Sequence, residues 1–179
     1  MHAQHEGDFA EIDYIIYYLH PESSSNLEDP AKKNHSQAYC IFVPVGTFEE
    51  FASAMNSVPG YVDDVYIYLH SDETNFSFYH AQYYSADDIS TSFEKIDIWG
   101  DIYLFSCKGG RGALASTIAA TTQCPVVACR YKVSFGNGYA RCGWWNYFTE
   151  YKKYGVYSWY MYYPNGNMLP YKYFVVTTR

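Results

Sequence analysis

The sequence has few basic residues and no hydrophobic run long enough to cross a membrane. Lys and Arg total 12 against 19 Asp and Glu, which gives a net charge of -7 and a pI near 5.2. Such a chain has no general attraction for phosphate backbones, so we expect no nucleic-acid partner. No apolar run approaches the roughly 18 residues of a membrane span, and the N-terminus is polar. We therefore expect a soluble chain with neither membrane insertion nor a signal peptide.

The sequence also lacks the cysteine pattern of a zinc site or a disulfide scaffold. Its five cysteines are an odd set without a Cys-x-x-Cys pair, so we expect no metal, no other cofactor and at least one unpaired thiol. Cys40 and Cys129 stand in strand-like runs, which predicts buried thiols. A bridge between Cys124 and Cys129 is disfavoured, because an extended run separates their Cα atoms by more than about 7 Å.

Hydrophobic and aromatic residues are abundant. They include 22 Tyr and 11 Phe, and hydrophobic residues make up 49% of the 179 positions. This length and content suit one core, so we expect a single domain over residues 1–179, without repeats. The aromatic residues favour strands, which predicts much sheet.

Alternating strand and helix patterns predict an α/β fold with a mainly parallel central sheet. Helical periodicity occurs at 48–57, 85–96 and 113–122, and strand-like runs at 12–18, 38–45, 62–70, 101–106 and 125–130. The run 38–45 is apolar enough to predict a strand covered on both faces. The helix at 48–57, with a capping box from Thr47 to Glu50, predicts that the strands on either side of it pair in parallel.

Two segments are expected to lie outside this alternation. The polar stretch 21–37 predicts a loop, the most disordered part of the chain, and contains Lys32-Lys33 as a candidate processing site. From residue 131 onward glycines, tyrosines and tryptophans dominate, and Asn165-Gly166 is a hairpin signal. We therefore expect an antiparallel extension over 131–179, attached to a core at 38–130. Its aromatic cluster is expected to be core and sheet surface, with a carbohydrate or peptide platform as the alternative: Trp144, Trp145, Tyr147, Trp159 and Tyr160.

Two reactive side chains stand at the ends of predicted strands. His70 ends the strand at 62–70, and Cys107 follows the strand at 101–106. Ligands of open α/β sheets bind beyond the carboxyl ends of strands, so we expect these side chains to share a crevice. An imidazole and the N-terminus of the next helix would both favour the thiolate. The alternatives are a small buried or loop thiol and a merely hydrogen-bonded histidine, and His80 is the second candidate imidazole.

Backbone amides and acidic side chains complete the candidate site. Glycines after Cys107, beginning with Gly109, would let backbone N–H groups face a developing oxyanion. Acidic residues near His70 could orient its imidazole or line a pocket for a basic side chain, and solvated loop residues are the alternative: Asp63, Asp64, Asp72 and Glu73.

The predicted elements follow a recognisable order: a strand ending in His, a hairpin, a helix, a strand ending in Ser-Cys-x-Gly, an Ala-rich helix and a strand. In this order the sequence resembles the caspase-like cysteine peptidases, which include caspases, gingipains and clostripain. The stretch Tyr103-Leu-Phe-Ser-Cys-Lys-Gly-Gly is similar to their nucleophile strand. The resemblance covers about 38–130 and is closest to domains of bacterial secreted and polymorphic-toxin proteins, where a Pro-Val-x-Ala strand like the one from Pro125 follows. It implies a three-layer fold.

The resemblance also implies roles for particular residues. His70 would be the general base and acid, Cys107 the nucleophile, and the amides of Ser71, Lys108 and Gly109 would form the oxyanion site. The chain departs from the family pattern at three places: Ser71 replaces a Gly, Lys108 stands where Arg, Gln or Gly is usual, and Phe105-Ser106 replaces Gln-Ala.

Two functions follow as expectations. The first is a cysteine endopeptidase that cleaves protein or peptide substrates without a cofactor, as a toxin or effector module or a minimal peptidase. The second is a catalytically inactive caspase-like module that binds a partner through its aromatic C-terminal region. Cleavage specificity, oligomeric state and localisation, whether secreted within a larger protein or cytoplasmic, are left open by the sequence.

Overall fold

The computed structural model describes residues 11–35, 39–136, 139–142 and 159–171, with side chains of 134–142 excepted. The described residues form four α-helices, one 3₁₀ turn at Tyr79–Ala81 and twelve strands. In chain order these are β1 (Asp13–Tyr18), α1 (Glu28–Asn34), β2 (Cys40–Val45), α2 (Phe48–Asn56), β3 (Val65–Tyr68), β4 (His70–Ser71), β5 (Asn75–Phe78), β6 (Gln82–Ser85), α3 (Ala86–Ser92), β7 (Ile102–Phe105), α4 (Leu114–Thr122), β8 (Val126–Cys129), β9 (Val133–Gly136), β10 (Tyr139–Cys142), β11 (Trp159–Tyr162) and β12 (Met168–Pro170).

Seven strands form one sheet in the order β2-β1-β3-β7-β8-β11-β12. The first five run parallel, and β11 and β12 add antiparallel strands at the far edge. Two smaller antiparallel units accompany it, a β4-β5-β6 sheet and a β9-β10 hairpin. The expected three-layer α/β fold with a mainly parallel sheet and an antiparallel C-terminal extension is confirmed.

The position of β2 differs from the prediction in two ways. β1 lies between β2 and β3 and pairs in parallel with both, so the strands flanking α2 are not neighbours. β2 is therefore an edge strand, and only Val45 of its residues is buried. Pro44 is exposed there, where its missing N–H costs no sheet hydrogen bond. The apolar composition suggested coverage on both faces, but strand order is decided by long-range pairing.

The expectation of a disordered loop over 21–37 is wrong for its second half, which contains α1. The helix buries Ala31 and Asn34 against the sheet although its sequence is polar. Lys32 and Lys33 are exposed and pair with Glu28 and Asp29 one turn earlier, at 2.6 and 3.4 Å. The candidate processing site thus lies on a helix surface rather than in an extended loop.

Two local predictions are confirmed by their hydrogen bonds. The Thr47 hydroxyl accepts from the Glu50 amide while the Glu50 carboxylate accepts from the Thr47 amide, which caps α2. Such a cap stabilises a helix by about 1 kcal/mol. The Asn165-Gly166 turn joins β11 to β12, and Gly166 has a φ of 83° that glycine adopts without strain.

The described cysteines and aromatic residues agree only in part with the sequence predictions. Cys129 is fully buried as expected, but it is disulfide-bonded rather than a thiol, since pairing depends on tertiary contacts that spacing does not reveal. Cys40, Cys107 and Cys124 are free. Cys40 is only half-buried, contrary to the prediction, because β2 lies at the edge of the sheet. Trp159 is buried, with its ring edge-on to Phe105 at 5.8 Å, whereas Trp144, Trp145 and Tyr147 lie outside the described residues. None of the described helices has the length and apolar character needed to span a bilayer.

Candidate functional site

The two candidate residues leave the sheet at the same edge. β3 and β7 are parallel neighbours, and their last paired residues are Tyr68 and Phe105. His70 and Cys107 each follow two positions after these residues. Because parallel strands end together at one edge, the segments carrying the imidazole and the thiol emerge side by side.

Contacts join the segment after β3 to the segment after β7. The Ser71 hydroxyl donates a 2.6 Å hydrogen bond to the carbonyl oxygen of Cys107. Two positions further on, the Glu73 carboxylate lies 3.2 Å from Nε of Arg111. Gly112 approaches so closely that a Cβ there would overlap the Glu73 carbonyl oxygen. The two segments therefore form one packed unit at the sheet edge.

The His70 imidazole is oriented by residues near β1. Its Nε2 lies 2.6 Å from the Ser25 carbonyl oxygen, and its ring packs edge-on against Tyr18 with centroids 5.3 Å apart. A carbonyl oxygen only accepts hydrogen bonds, so this contact assigns the proton to Nε2. In the neutral imidazole Nδ1 then carries the lone pair, and it has no hydrogen-bond partner among the residues that the structure describes.

The Cys107 thiol faces a different neighbour. Its Sγ lies 3.7 Å from the carbonyl oxygen of Val133, at the start of β9. The thiol is thus directed towards the segment after β8, whereas the imidazole contacts the segment after β1. The preceding Ser106 is buried, and its hydroxyl lacks a hydrogen-bond partner within the described part of the chain.

The backbone after Cys107 turns sharply and is anchored to β8. Lys108 has a φ of 58°, and its amide donates to the Tyr131 carbonyl at 2.7 Å. The Gly110 amide donates to the Cys129 carbonyl at 2.9 Å, and the Tyr162 hydroxyl bonds the Gly110 carbonyl. The Gly109 amide has a long contact of 3.5 Å with the Ser106 carbonyl. The Lys108 amide is therefore occupied by a carbonyl in this conformation.

The other free thiols lie in unreactive settings. Burial, together with the charge of Asp13, raises the pKa of the Cys40 thiol to about 11. Burial also raises the pKa of the Cys124 thiol. A raised pKa leaves little thiolate near neutral pH, and the thiolate is the nucleophile. Of the free cysteines in the described part of the chain, Cys107 is the one that follows the carboxyl end of a parallel strand.

A cleft of about 310 Å³ opens beside His70. Its lining includes Ser25, Phe78 and His80, so both candidate imidazoles face the same space. Cys107 is not among the described residues that line it. His80 has a φ of 59° within the turn that follows β5, an uncommon conformation for a residue other than glycine.

Three of the acidic residues near the strand ends, Asp63, Asp64 and Asp72, accept hydrogen bonds from backbone amides rather than from the imidazole. Although partial burial opposes it, hydrogen bonds from the Thr74 and Asn75 amides hold the pKa of Asp72 below its usual value. Asp63 accepts from the Ile12 amide at 2.7 Å, and Asp64 from the Asp101 amide at 2.8 Å. None of the described acidic side chains hydrogen-bonds His70.

Sequence reasoning missed two features. The Ser25 carbonyl, which orients His70, belongs to backbone and leaves no residue-type signal. At the amino ends of β1 and β2, Asp13, His35 and Cys40 bring a carboxylate oxygen, a ring nitrogen and a sulfur within 4.8 Å of one another. These residues belong to three separate segments at spacings that match no metal-binding motif.

No protein-family model matches this chain, and a search of curated proteins finds none that is similar to it.

Proposed function

We propose that the chain is a caspase-like cysteine peptidase in which His70 activates Cys107. The observation that carries this proposal is the parallel pairing of β3 with β7, which sends both residues out of the same sheet edge. The hydrogen bond from Ser71 to the Cys107 carbonyl also supports the proposal, because it joins the segment that follows β3 to the segment that follows β7.

The hydrogen bond between His70 and Ser25 gives the imidazole a suitable tautomer. With the proton on Nε2, the lone pair on Nδ1 is free to accept the thiol proton of Cys107. The sulfur then forms a bond to the substrate carbonyl carbon, and the carbonyl oxygen becomes an oxyanion near the amides of Cys107 and Ser71. When the C–N bond breaks, the proton moves from Nδ1 to the leaving amine, and water hydrolyses the thioester with His70 again as base.

The order of elements supports the family part of the proposal. The segment from β3 through His70, the β4-β5-β6 sheet, α3, β7 with Cys107, α4 and β8 follows the pattern on which the resemblance to caspase-like peptidases rests. The substrate of such an enzyme is a protein or peptide, and the mechanism needs no cofactor.

Covalent labelling tests the proposal. Wild-type protein is incubated with a panel of peptidyl acyloxymethyl ketones that differ in the residue next to the reactive group, and intact mass is measured. We expect one adduct, located on Cys107 by peptide mapping and lost in His70→Ala. Cys124→Ser serves as the matched control, because it removes a different free thiol and should label like wild type. Failure of the folded wild type to label with every member of the panel would contradict the catalytic role.

One observation favours an inactive binding module as the second candidate. The thiol contacts Val133 while the imidazole contacts Ser25, and the Lys108 amide is bonded to Tyr131. If this arrangement persists with substrate, Cys107 reacts as an ordinary thiol. Iodoacetamide would then alkylate Cys107 at the same rate in wild type and in His70→Ala, whereas the peptidase predicts a slower reaction in the variant.

A further inference from the structure

A set of three metal-ligating side chains lies at the end of the sheet opposite to His70 and Cys107. Asp13 begins β1, Cys40 begins β2, and His35 directly follows α1. The first register pair of the two strands joins Asp13 to Cys40, so these residues are neighbours across the sheet. One ligand atom from each residue lies within 4.8 Å of the other two.

From this cluster, we propose that Asp13, His35 and Cys40 bind a divalent transition-metal ion, with zinc as the best match. Zinc takes sulfur, imidazole nitrogen and carboxylate oxygen at about 2.0 to 2.3 Å in a tetrahedron. Ligand atoms in such a site are about 3.3 to 3.8 Å apart by that geometry. The 3.7 Å separation between His35 Nδ1 and Asp13 Oδ2 falls in this range and is too long for a hydrogen bond.

The second nitrogen of His35 is held as metal-binding imidazoles usually are. Its Nε2 lies 2.9 Å from the Tyr68 hydroxyl, which also accepts a 3.1 Å hydrogen bond from the Asn34 side chain. A partner on one ring nitrogen fixes the orientation of the ring and directs the other nitrogen to the metal. The His35 side chain is only 4% exposed, so its Nδ1 is positioned by packing rather than by chance at a surface.

The charges around the cluster favour a cation. Among the described residues, the ion-pair partner of Asp13 is His35, and no lysine or arginine neutralises it. A bound zinc ion would compensate the Asp13 charge. The Asp13 side chain remains 28% exposed, which leaves an approach for the ion and for a water as fourth ligand.

Cobalt titration tests the sulfur ligand. All proteins carry Cys107→Ser, so that the candidate dyad cannot contribute, and are freed of metal with chelator before cobalt(II) is added. We expect a near-ultraviolet band from thiolate-to-cobalt charge transfer that saturates at one equivalent. Adding Cys40→Ser should abolish this band, whereas adding Cys124→Ser, which removes another free thiol of the described residues, should leave it unchanged.

Zinc-dependent thermal stability tests the oxygen ligand and covers the case in which Cys40→Ser fails to fold. Zinc should raise the melting temperature of the Cys107→Ser protein, because an ion that binds only the folded state stabilises it. Asp13→Asn, whose folding is checked by circular dichroism, should weaken zinc binding by at least about tenfold, in line with losses seen even for outer-sphere partners. Absence of the cobalt band, its survival in Cys40→Ser, or an equal zinc effect in Asp13→Asn would each overturn the proposal.

Discussion

Ser71 donates its hydroxyl hydrogen to the carbonyl oxygen of Cys107, so the residue after the candidate base is bonded to the candidate nucleophile's own backbone. The contact spans 36 positions of sequence and lies beyond the last register pair of β3 and β7. The Ser71 side chain thus couples the segment after β3 to the segment after β7.

Removing this hydroxyl should loosen the coupling. We expect Ser71→Ala to lower the free energy of unfolding by about 1 kcal/mol, the net value of one partly buried hydrogen bond. Urea denaturation measures the change. Ser77→Ala is the matched control, because Ser77 is also half-buried but makes no hydrogen bond through its side chain among the described residues, so its effect should be smaller. Equal losses in the two variants would contradict a specific role for Ser71.

The packing of the same two segments makes a second, steric prediction. A Cβ at Gly112 would overlap the Glu73 carbonyl oxygen, which is backbone and cannot rotate away. We expect Gly112→Ala to cost about 1 to 3 kcal/mol of unfolding free energy through the forced displacement. It should also slow acyloxymethyl ketone labelling of Cys107, since the loop that carries Arg111 must move. Gly60→Ala is the control, because a Cβ there meets the Asp97 carbonyl oxygen only at 3.4 Å.

The parts of the fold that the sequence predicted correctly are those governed by neighbouring residues. Thr47 and Glu50 cap a helix within one turn, and Asn165-Gly166 closes a hairpin through its own backbone preference. The positions of His70 and Cys107 just after β3 and β7 also followed from where these strands end. The expected shared crevice did not, because Cys107 is not among the described residues that line the cleft beside His70.

The parts that failed depend on distant contacts. α1 looked like a loop because its helical state is stabilised by burying Ala31 under the sheet, not by local propensity. β2 looked like an interior strand because composition does not report which strand inserts beside it. The cluster of Asp13, His35 and Cys40 could not be predicted because it depends on both of these features. The end of α1 places the histidine, and the β1–β2 pairing places the other two residues side by side.

The hydroxyl of Tyr68 supports two buried polar side chains, which makes its removal costly. It contacts Asn34 at 3.1 Å and His35 at 2.9 Å, and all three residues are buried. We expect Tyr68→Phe, measured in chelator, to lower the unfolding free energy by about 1 to 3 kcal/mol, because the two partners stay buried without it. Tyr14→Phe is the control, since its hydroxyl makes a single 3.3 Å bond to Ala54 and should matter less. A loss of unfolding free energy for Tyr68→Phe that is smaller than the loss for Tyr14→Phe would show that Asn34 and His35 find other partners.

Asp64 gives the stability of the protein a pH dependence with a defined sign. Burial raises its pKa from 3.8 to about 6, so between these values the folded state holds a proton that the unfolded state has lost. The stabilisation of the folded state by this bound proton is therefore complete below pH 4 and disappears as the pH rises through 6.

Asp64→Asn removes this titration while keeping an oxygen that can accept from the Asp101 amide. The quantity compared is the unfolding free energy of the variant minus that of wild type, with chelator present. This difference should be about 2 to 3 kcal/mol more favourable to the variant at pH 7.5 than at pH 4, the value of a shift of about two pKa units. Urea denaturation at the two values measures the difference. Asp97→Asn, at an exposed position, should show no such gain, and a pH-independent difference for Asp64→Asn would mean that Asp64 ionises normally in the fold.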